Sequence, residues 1–206
     1  MYQNWKRNIV LFLTSQTITL FGSSLVQYAI MWYITLETKS GVMMTVFIIC
    51  GFLPTFILSP FAGVWADRYN RKILIMLSDT MIAAVTLILA ILFLMGYKMI
   101  WLLFTISAIR GLGSAVQMHA IGAFLPQIVP EDKLMKVNGI NSSIQSFIML
   151  VSPVASAALY TFARIEMIFF IDVVTAAIGV LTLLLFLHVP AHAKALAKQE
   201  GSYYGD

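Results

Sequence analysis

Apolar positions along this chain fall into six long runs, parted by short breaks rich in charged or turn-forming residues. The runs extend roughly from Ile9 to Leu36, Val42 to Ala66, Ile73 to Met95, Met99 to Phe124, Val137 to Phe162 and Met167 to Val189. Each exceeds the roughly 20 apolar residues needed to cross a hydrocarbon core about 30 Å thick. A segment in lipid must satisfy its own backbone hydrogen bonds, so each run is predicted to be a helix. The breaks are short, which makes neighbouring helices antiparallel. The pattern predicts an all-α integral membrane protein with six transmembrane helices.

The runs also repeat. Shifting the sequence by 93 positions lays the second and third runs on the fifth and sixth without an insertion. Ser59-Pro60 falls on Ser152-Pro153, Arg71 on Arg164, Asp79 on Asp172, and Leu92-Phe93-Leu94 on Leu185-Phe186-Leu187. Each copy holds three crossings, so the second enters the membrane from the opposite face. Two inverted three-helix repeats, about 9–95 and 99–189, thus make up the transmembrane bundle of residues 1–189. This construction is typical of secondary transporters.

Composition agrees with the pattern: 60% of the 206 residues are hydrophobic, 11% are charged and the mean hydropathy is +0.90. Soluble domains hold about 25% charged residues. A net charge of +4 could suggest nucleic acid, but the cations are distributed by loop. Lys6, Arg7, Arg68, Arg71, Lys72, Lys133, Lys136, Lys194 and Lys198 fall on one side; Lys39, Lys98 and Arg164 fall on the other. The richer side is cytoplasmic by the positive-inside rule, so both termini are expected there and no nucleic-acid partner is. Lys6 and Arg7 precede an apolar run without a cleavage site, which reads as a retained first helix. Cys50 is the one cysteine, and His119, His188 and His192 are dispersed. No metal, cofactor or catalytic site is expected, since no nucleophile–base pair, ligand spacing or phosphate loop is present.

Polar residues inside the runs fall on helical faces. The first carries Gln16, Thr19, Ser23 and Gln27, the fourth Ser107, Arg110, Ser114 and Gln117, and the fifth Asn138, Asn141, Gln145, Ser152 and Ser156. The first, fourth and fifth helices are expected to line a wet cavity, with the aliphatic third and sixth facing lipid. For Ser and Thr the alternative is helix-to-helix glue. Arg110 at mid-helix needs a partner, since a cation there costs about 2.5–3.5 kcal/mol on insertion scales. That partner could be Asp172 or carbonyl groups, and Arg110 could equally bind substrate or take part in proton movement. Asp172 is open between a structural role and a proton relay, whereas Asp79, near the basic hinge, reads as structural. Pro54, Pro60 and Pro153 interrupt backbone hydrogen bonding and permit bends.

The hinge between the second and third runs, Gly63-x-x-x-Asp67-Arg68-x-Asn70-Arg71-Lys72, closely resembles the G-x-x-x-D-R-x-G-R-K signature of the major facilitator superfamily. Asn70 replaces the usual glycine and is expected to take the same positive-φ turn, which Asn tolerates. The segments 109-IRGLG-113, 125-LPQIVPEDKL-134, 138-NGINSSIQS-146 and 152-SPVASAALY-160 resemble drug:proton antiporters of the macrolide-efflux type. Arg110 matches the basic residue such antiporters carry in helix four; Ser152-Pro153 matches their Gly-Pro motif only in part. The resemblance covers the N-terminal six-helix half of the family pattern. It implies export of small amphipathic drugs in exchange for protons by alternating access, across the plasma or inner membrane. It also implies a latch, in which Asp67 pairs with the basic hinge and faces a helix N-terminus in the other half.

Residues 190–206 resemble the start of the central cytoplasmic loop of such carriers. The chain is accordingly expected to be one half of a carrier of about twelve helices, lacking its C-terminal half and unable to transport alone. Two alternatives stand beside this: a half-size protein that homodimerises, and a non-transporting fragment or regulatory partner of a full carrier.

Overall fold

The computed structural model describes residues 5–187. The predicted loop at 190–206 and the end of the last run at Val189 lie outside the described residues. Six helices are found, each long and apolar enough to cross a membrane. They are α1 (Trp5–Thr38), α2 (Gly41–Arg68), α3 (Arg71–Leu94), α4 (Ile100–Ile128), α5 (Glu131–Phe162) and α6 (Ile165–Phe186).

Several helices begin before or end after the apolar runs that predict them. Helix α5 begins at Glu131, before the predicted Val137, because Glu131 and Asp132 in its first turn suit the positive end of the helix dipole. Ser40 caps α2 by accepting from the Met43 N–H. Helix α3 ends in a Schellman turn: Gly96, at φ 91°, donates to the Phe93 carbonyl, and Tyr97 donates to Leu92. A side chain at that φ would be strained, which explains the glycine.

Packing follows the repeat. The most extensive contacts join α2 to α4, α1 to α6, α3 to α4, α3 to α6 and α1 to α5. Exchanging α1, α2 and α3 for α4, α5 and α6 maps this set onto itself, as a pseudo-two-fold requires. At the α1–α6 crossing Gly22 faces Thr175 and Gly179 faces Thr19, and a Cβ on either glycine would overlap the opposing hydroxyl. Small residues let helix backbones approach where lipid supplies no hydrophobic drive for association.

Helices α3 and α6 each keep an exposed apolar face, with Leu77, Ile88 and Ile91 on α3 and Val174, Ile178 and Leu181 on α6, and bury the opposite one. Helix α3 packs against α4 and α6, and α6 against α1 and α3, and these faces turn Asp79 and Asp172 inward. The elements with the smallest buried share are α2 and α5. Aliphatic composition could not reveal this, because lipid tails and a protein core are equally apolar.

Along the bundle axis the core is layered. Near the α2–α3 hinge, Phe12, Ile75, Phe124, Leu125 and Leu183 form one apolar cluster. At the other end Ile30, Tyr33, Phe93, Phe104 and Phe169 form a second. Between them on the same four helices lie Gln16, Thr19, Asp79, Thr86, Ser107, Arg110 and Asp172, all buried.

Candidate functional site

The middle layer is a hydrogen-bonded network built by four helices. Arg110 of α4 donates through Nη1 to Asp172 Oδ2 of α6 at 2.7 Å and through Nη2 to the Ser23 carbonyl of α1 at 3.0 Å. Asp172 also accepts from Ser23 Oγ at 2.8 Å and from Thr86 Oγ1 of α3 at 2.9 Å. Thr86 further contacts Arg110. Of the partners foreseen for Arg110, both are present: a carboxylate and a carbonyl. The pair is buried, at 5% and 0% exposure, so each charge depends on the other to stay in the layer.

A second cluster lies beside it. Asp79 of α3 accepts from Gln16 Nε2 of α1 at 3.3 Å and from Gln117 Nε2 of α4. Its side chain is 1% exposed. The sequence signal for this cluster was the Gln stripe itself; what it lacked was the partner, which comes from a helix 63 positions away.

Ser23, Arg110, Gln16 and Gln117 of this layer border a furrow between α1, α2, α4 and α5. One compartment, about 360 Å³, is lined by Gln27, Thr55, Ser107, Arg110 and Ser114 among others. A second, about 240 Å³, is lined by Gln16, Gln117, Met118, Asn141 and Gln145 together with Leu13 and Ile121. A third reaches Tyr28, Gln145 and Met149. The four glutamines singled out in the sequence, Gln16, Gln27, Gln117 and Gln145, therefore all border the furrow. Thr19 does not; it packs at the α1–α6 crossing. Ser156 ties α5 to the Leu25 carbonyl of α1, which is a joint between helices.

The prolines separate by environment. Pro54 and Pro60 lie inside α2 and Pro153 inside α5, beside the buried Ser152. Pro126 inside α4 is a further interruption. Thr55, next to Pro54, donates to the Gly51 carbonyl of its own helix and to Gly111 of α4. It occupies the seam where α2 meets α4.

At the hinge, Asn70 departs from expectation. Its φ is −64°, not positive, and its side chain accepts from the Lys72 N–H at 3.1 Å. Asn at this position serves as the N-cap of α3, a role its carbonyl oxygen fills and glycine cannot. Asp67 and Arg71 lie 3.8 Å apart as an i,i+4 pair. Arg71 also donates to the Ala66 carbonyl of α2 and to Ala123 of α4, both at 3.0 Å. Lys72 Nζ donates to the Leu187 carbonyl after α6 at 2.6 Å. Two cations thus reach the Ala66 carbonyl in the last turn of α2, the Leu187 carbonyl just after α6, and the Ala123 carbonyl in the C-terminal part of α4, where the helix dipoles are negative. Arg68 ends α2, and Gly63 sits opposite His119, where a methyl would make only ordinary contact. His119 itself bonds Ser59 and the Ala115 carbonyl.

The sequence matches the Major Facilitator Superfamily over residues 12–203. It is 34% identical over 181 residues to macrolide efflux protein A of Streptococcus pyogenes, covering 88% of this chain and 45% of that protein. A macrolide efflux protein A of Enterococcus faecalis is 36% identical over 135 residues, covering 66% of this chain and 42% of that protein. An uncharacterized MFS-type transporter of Bacillus subtilis (strain 168) is 24% identical over 204 residues, covering 98% and 48%. The chain spans about half the length of the curated relatives it matches.

Proposed function

The chain belongs to the Major Facilitator Superfamily, and from that premise we propose that it forms the N-terminal half of a proton-coupled exporter of amphipathic, macrolide-like compounds. The observation that carries this reading is the furrow. It runs at the level of the polar layer and combines amides (Gln27, Gln117, Gln145) with apolar and sulfur-bearing walls (Met118, Ile121, Met149). Bulky solutes with scattered hydroxyl and ether groups need such a surface: area for contact, with a few adaptable hydrogen-bonding groups for orientation. The relatives named for macrolide efflux support the same solute class.

A second six-helix unit covers the furrow in this reading. Rocking of the two units about the bound solute exposes it to each side in turn. Both termini and the α2–α3 hinge face the cytoplasm. There Asp67, Arg68, Asn70, Arg71 and Lys72 act as a latch, with the Asp67 carboxylate meeting a helix N-terminus of the opposite unit when the carrier faces outward. Arg110 and Asp172, both on the second repeat, tie it to the first through Ser23 and Thr86 while α2 and α5 move against the other unit.

The test has two parts. Detection in native membranes with an antibody to the N-terminal segment gives the mass: a band near twice 23.0 kDa fits one half of a carrier, and a band at 23.0 kDa that crosslinks to a dimer replaces it with a homodimer. Accumulation of labelled erythromycin is then measured in cells producing that native species, with and without an uncoupler. Lower accumulation that the uncoupler restores supports the exporter. Accumulation unaltered by the protein overturns it.

A further inference from the structure

Asp79 and Asp172 are 93 positions apart, the spacing of the repeat, and the resemblance between them extends to their donors. Asp172 is held by one donor from the first helix of its own repeat, Arg110, and one from the first helix of the other, Ser23. Asp79 is held in the same way, by Gln16 from its own repeat and Gln117 from the other. Gln16 and Arg110 are 94 positions apart, as are Ser23 and Gln117. The two sites are therefore related by the pseudo-two-fold, carboxylate to carboxylate and donor to donor. They differ in charge. Where Asp172 has a guanidinium, Asp79 has an amide.

No other cation takes that place among the described residues. On α1 the charged groups are Lys6, Arg7 and Glu37, all near its ends. On α4, Arg110 is committed to Asp172 and the Ser23 carbonyl, and His119 to Ser59 and Ala115. On α6, Asp172 acts on Asp79 electrostatically and Glu166 is paired with Lys98 near the far end. On α2, Asp67 and Arg68 lie at the hinge, and on α3 itself Arg71 and Lys72 are turned to the carbonyls of Ala66, Ala123 and Leu187. A carboxylate with neutral donors alone is an expensive occupant of a membrane interior, and such residues mark ion and proton pathways.

We propose that Asp79 is a proton-binding site, taking up a proton where its counterpart holds Arg110, and that its protonation frees the amides of Gln16 and Gln117 for solute in the furrow. The ionised carboxylate only accepts, and it occupies an N–H of each glutamine. Once a proton from water in the furrow bonds to a carboxylate oxygen, that O–H donates and needs an acceptor. The side-chain carbonyl of Gln16 or Gln117 is the one at hand, so at least one amide must turn and release its N–H. Both glutamines line the compartment beside Asn141 and Gln145, so the same two amides serve Asp79 and the solute. The solute coupling rests on the exporter reading above; the proton site does not.

The experiment is infrared difference spectroscopy, acid minus alkaline, on the full chain in lipid nanodiscs. The expected result is a protonated-carboxyl band that shifts on carbon-13 labelling of aspartate. It disappears in Asp79→Asn and survives in the Arg110→Gln/Asp172→Asn double variant. Gln16→Ala and Gln117→Ala move its titration midpoint, and Ser152→Ala, equally buried but remote, leaves it in place. The two Gln variants decide the matter if Asp79→Asn does not fold. Absence of an aspartate band, its persistence in Asp79→Asn, or a midpoint indifferent to both glutamines overturns the proposal. Erythromycin is then added. A changed midpoint supports the coupling; an unchanged midpoint with the band intact supports the proton site and overturns the coupling of its proton to solute.

Discussion

Arg110 and Asp172 meet at 2.7 Å in the middle of the bundle, each almost wholly buried and each the other's ion-pair partner. Removing one member strands the other. Arg110→Ala or Asp172→Ala is expected to lower stability by about 3–5 kcal/mol, the range for breaking a buried pair. The double variant Arg110→Gln/Asp172→Asn should lose less than the two single losses combined, since no charge is then left unpaired. Unfolding in lipid nanodiscs, run as a double-mutant cycle, measures the coupling.

The hinge cations offer a second test. Arg71 reaches carbonyls on both α2 and α4 with one planar fork, a geometry that an ammonium cannot copy. Arg71→Lys is therefore expected to behave nearly as badly as Arg71→Ala, each costing about 1.5–3 kcal/mol by the range for hydrogen bonds to charged groups. Hydrogen exchange should rise first at the C-terminal turn of α4. Lys72→Ala should instead loosen the end of α6, whose Leu187 carbonyl it holds.

At the α1–α6 crossing, Gly22→Ala and Gly179→Ala insert a methyl where Thr175 and Thr19 already stand. Overpacking of this kind costs about 1–3 kcal/mol, and the β-branched partner cannot easily rotate away. Pairing each change with its partner's truncation, Gly22→Ala with Thr175→Ala or Gly179→Ala with Thr19→Ala, should recover most of the loss in thermal unfolding. Failure of both rescues would mean that the crossing is not as close as described.

The furrow predicts selective effects on export. Gln27→Leu and Gln145→Leu keep apolar contact but delete hydrogen-bonding groups from its wall. One net hydrogen bond contributes about 0.5–1.5 kcal/mol, so binding of a polar macrolide should weaken about two- to tenfold per site. Solutes without hydroxyl groups should be affected little. Equilibrium binding of labelled solute to membranes containing the carrier tests both halves of this expectation.

Much of this architecture is legible in the amino-acid sequence. Six crossings follow from hydropathy because lipid imposes a length on each apolar run. The repeat is visible because polar coincidences such as Ser59-Pro60 with Ser152-Pro153 are uncommon in so apolar a chain. Asp172 could be named as one candidate partner for Arg110, since a buried cation demands something and few carboxylates are available. Other features depend on distances that no sequence carries. Asp79 lies near the hinge in sequence, yet Gln16 and Gln117 draw it into the polar layer. Lys72 reads as a topogenic charge until Leu187, 115 positions away, is found within its reach. Asn70 misled because Asn suits two local roles, a left-handed turn and an N-cap, and only the start of α3 decides between them.

The polar layer is bounded by the phenylalanine-rich clusters at either end, and this has an electrical consequence. Those clusters are dielectric plugs. Across them the transmembrane voltage must drop, at about 2.3 kcal/mol per elementary charge for each 100 mV. An ion travelling along the helix axis would meet Phe12, Phe124 and Leu183 on one side and Phe93, Phe104 and Phe169 on the other, with no polar group to replace its hydration. Among the described residues the open approach to the layer is sideways, from the furrow. A membrane holding this bundle should stay as resistive as bare lipid, even though two carboxylates and a guanidinium lie halfway across it.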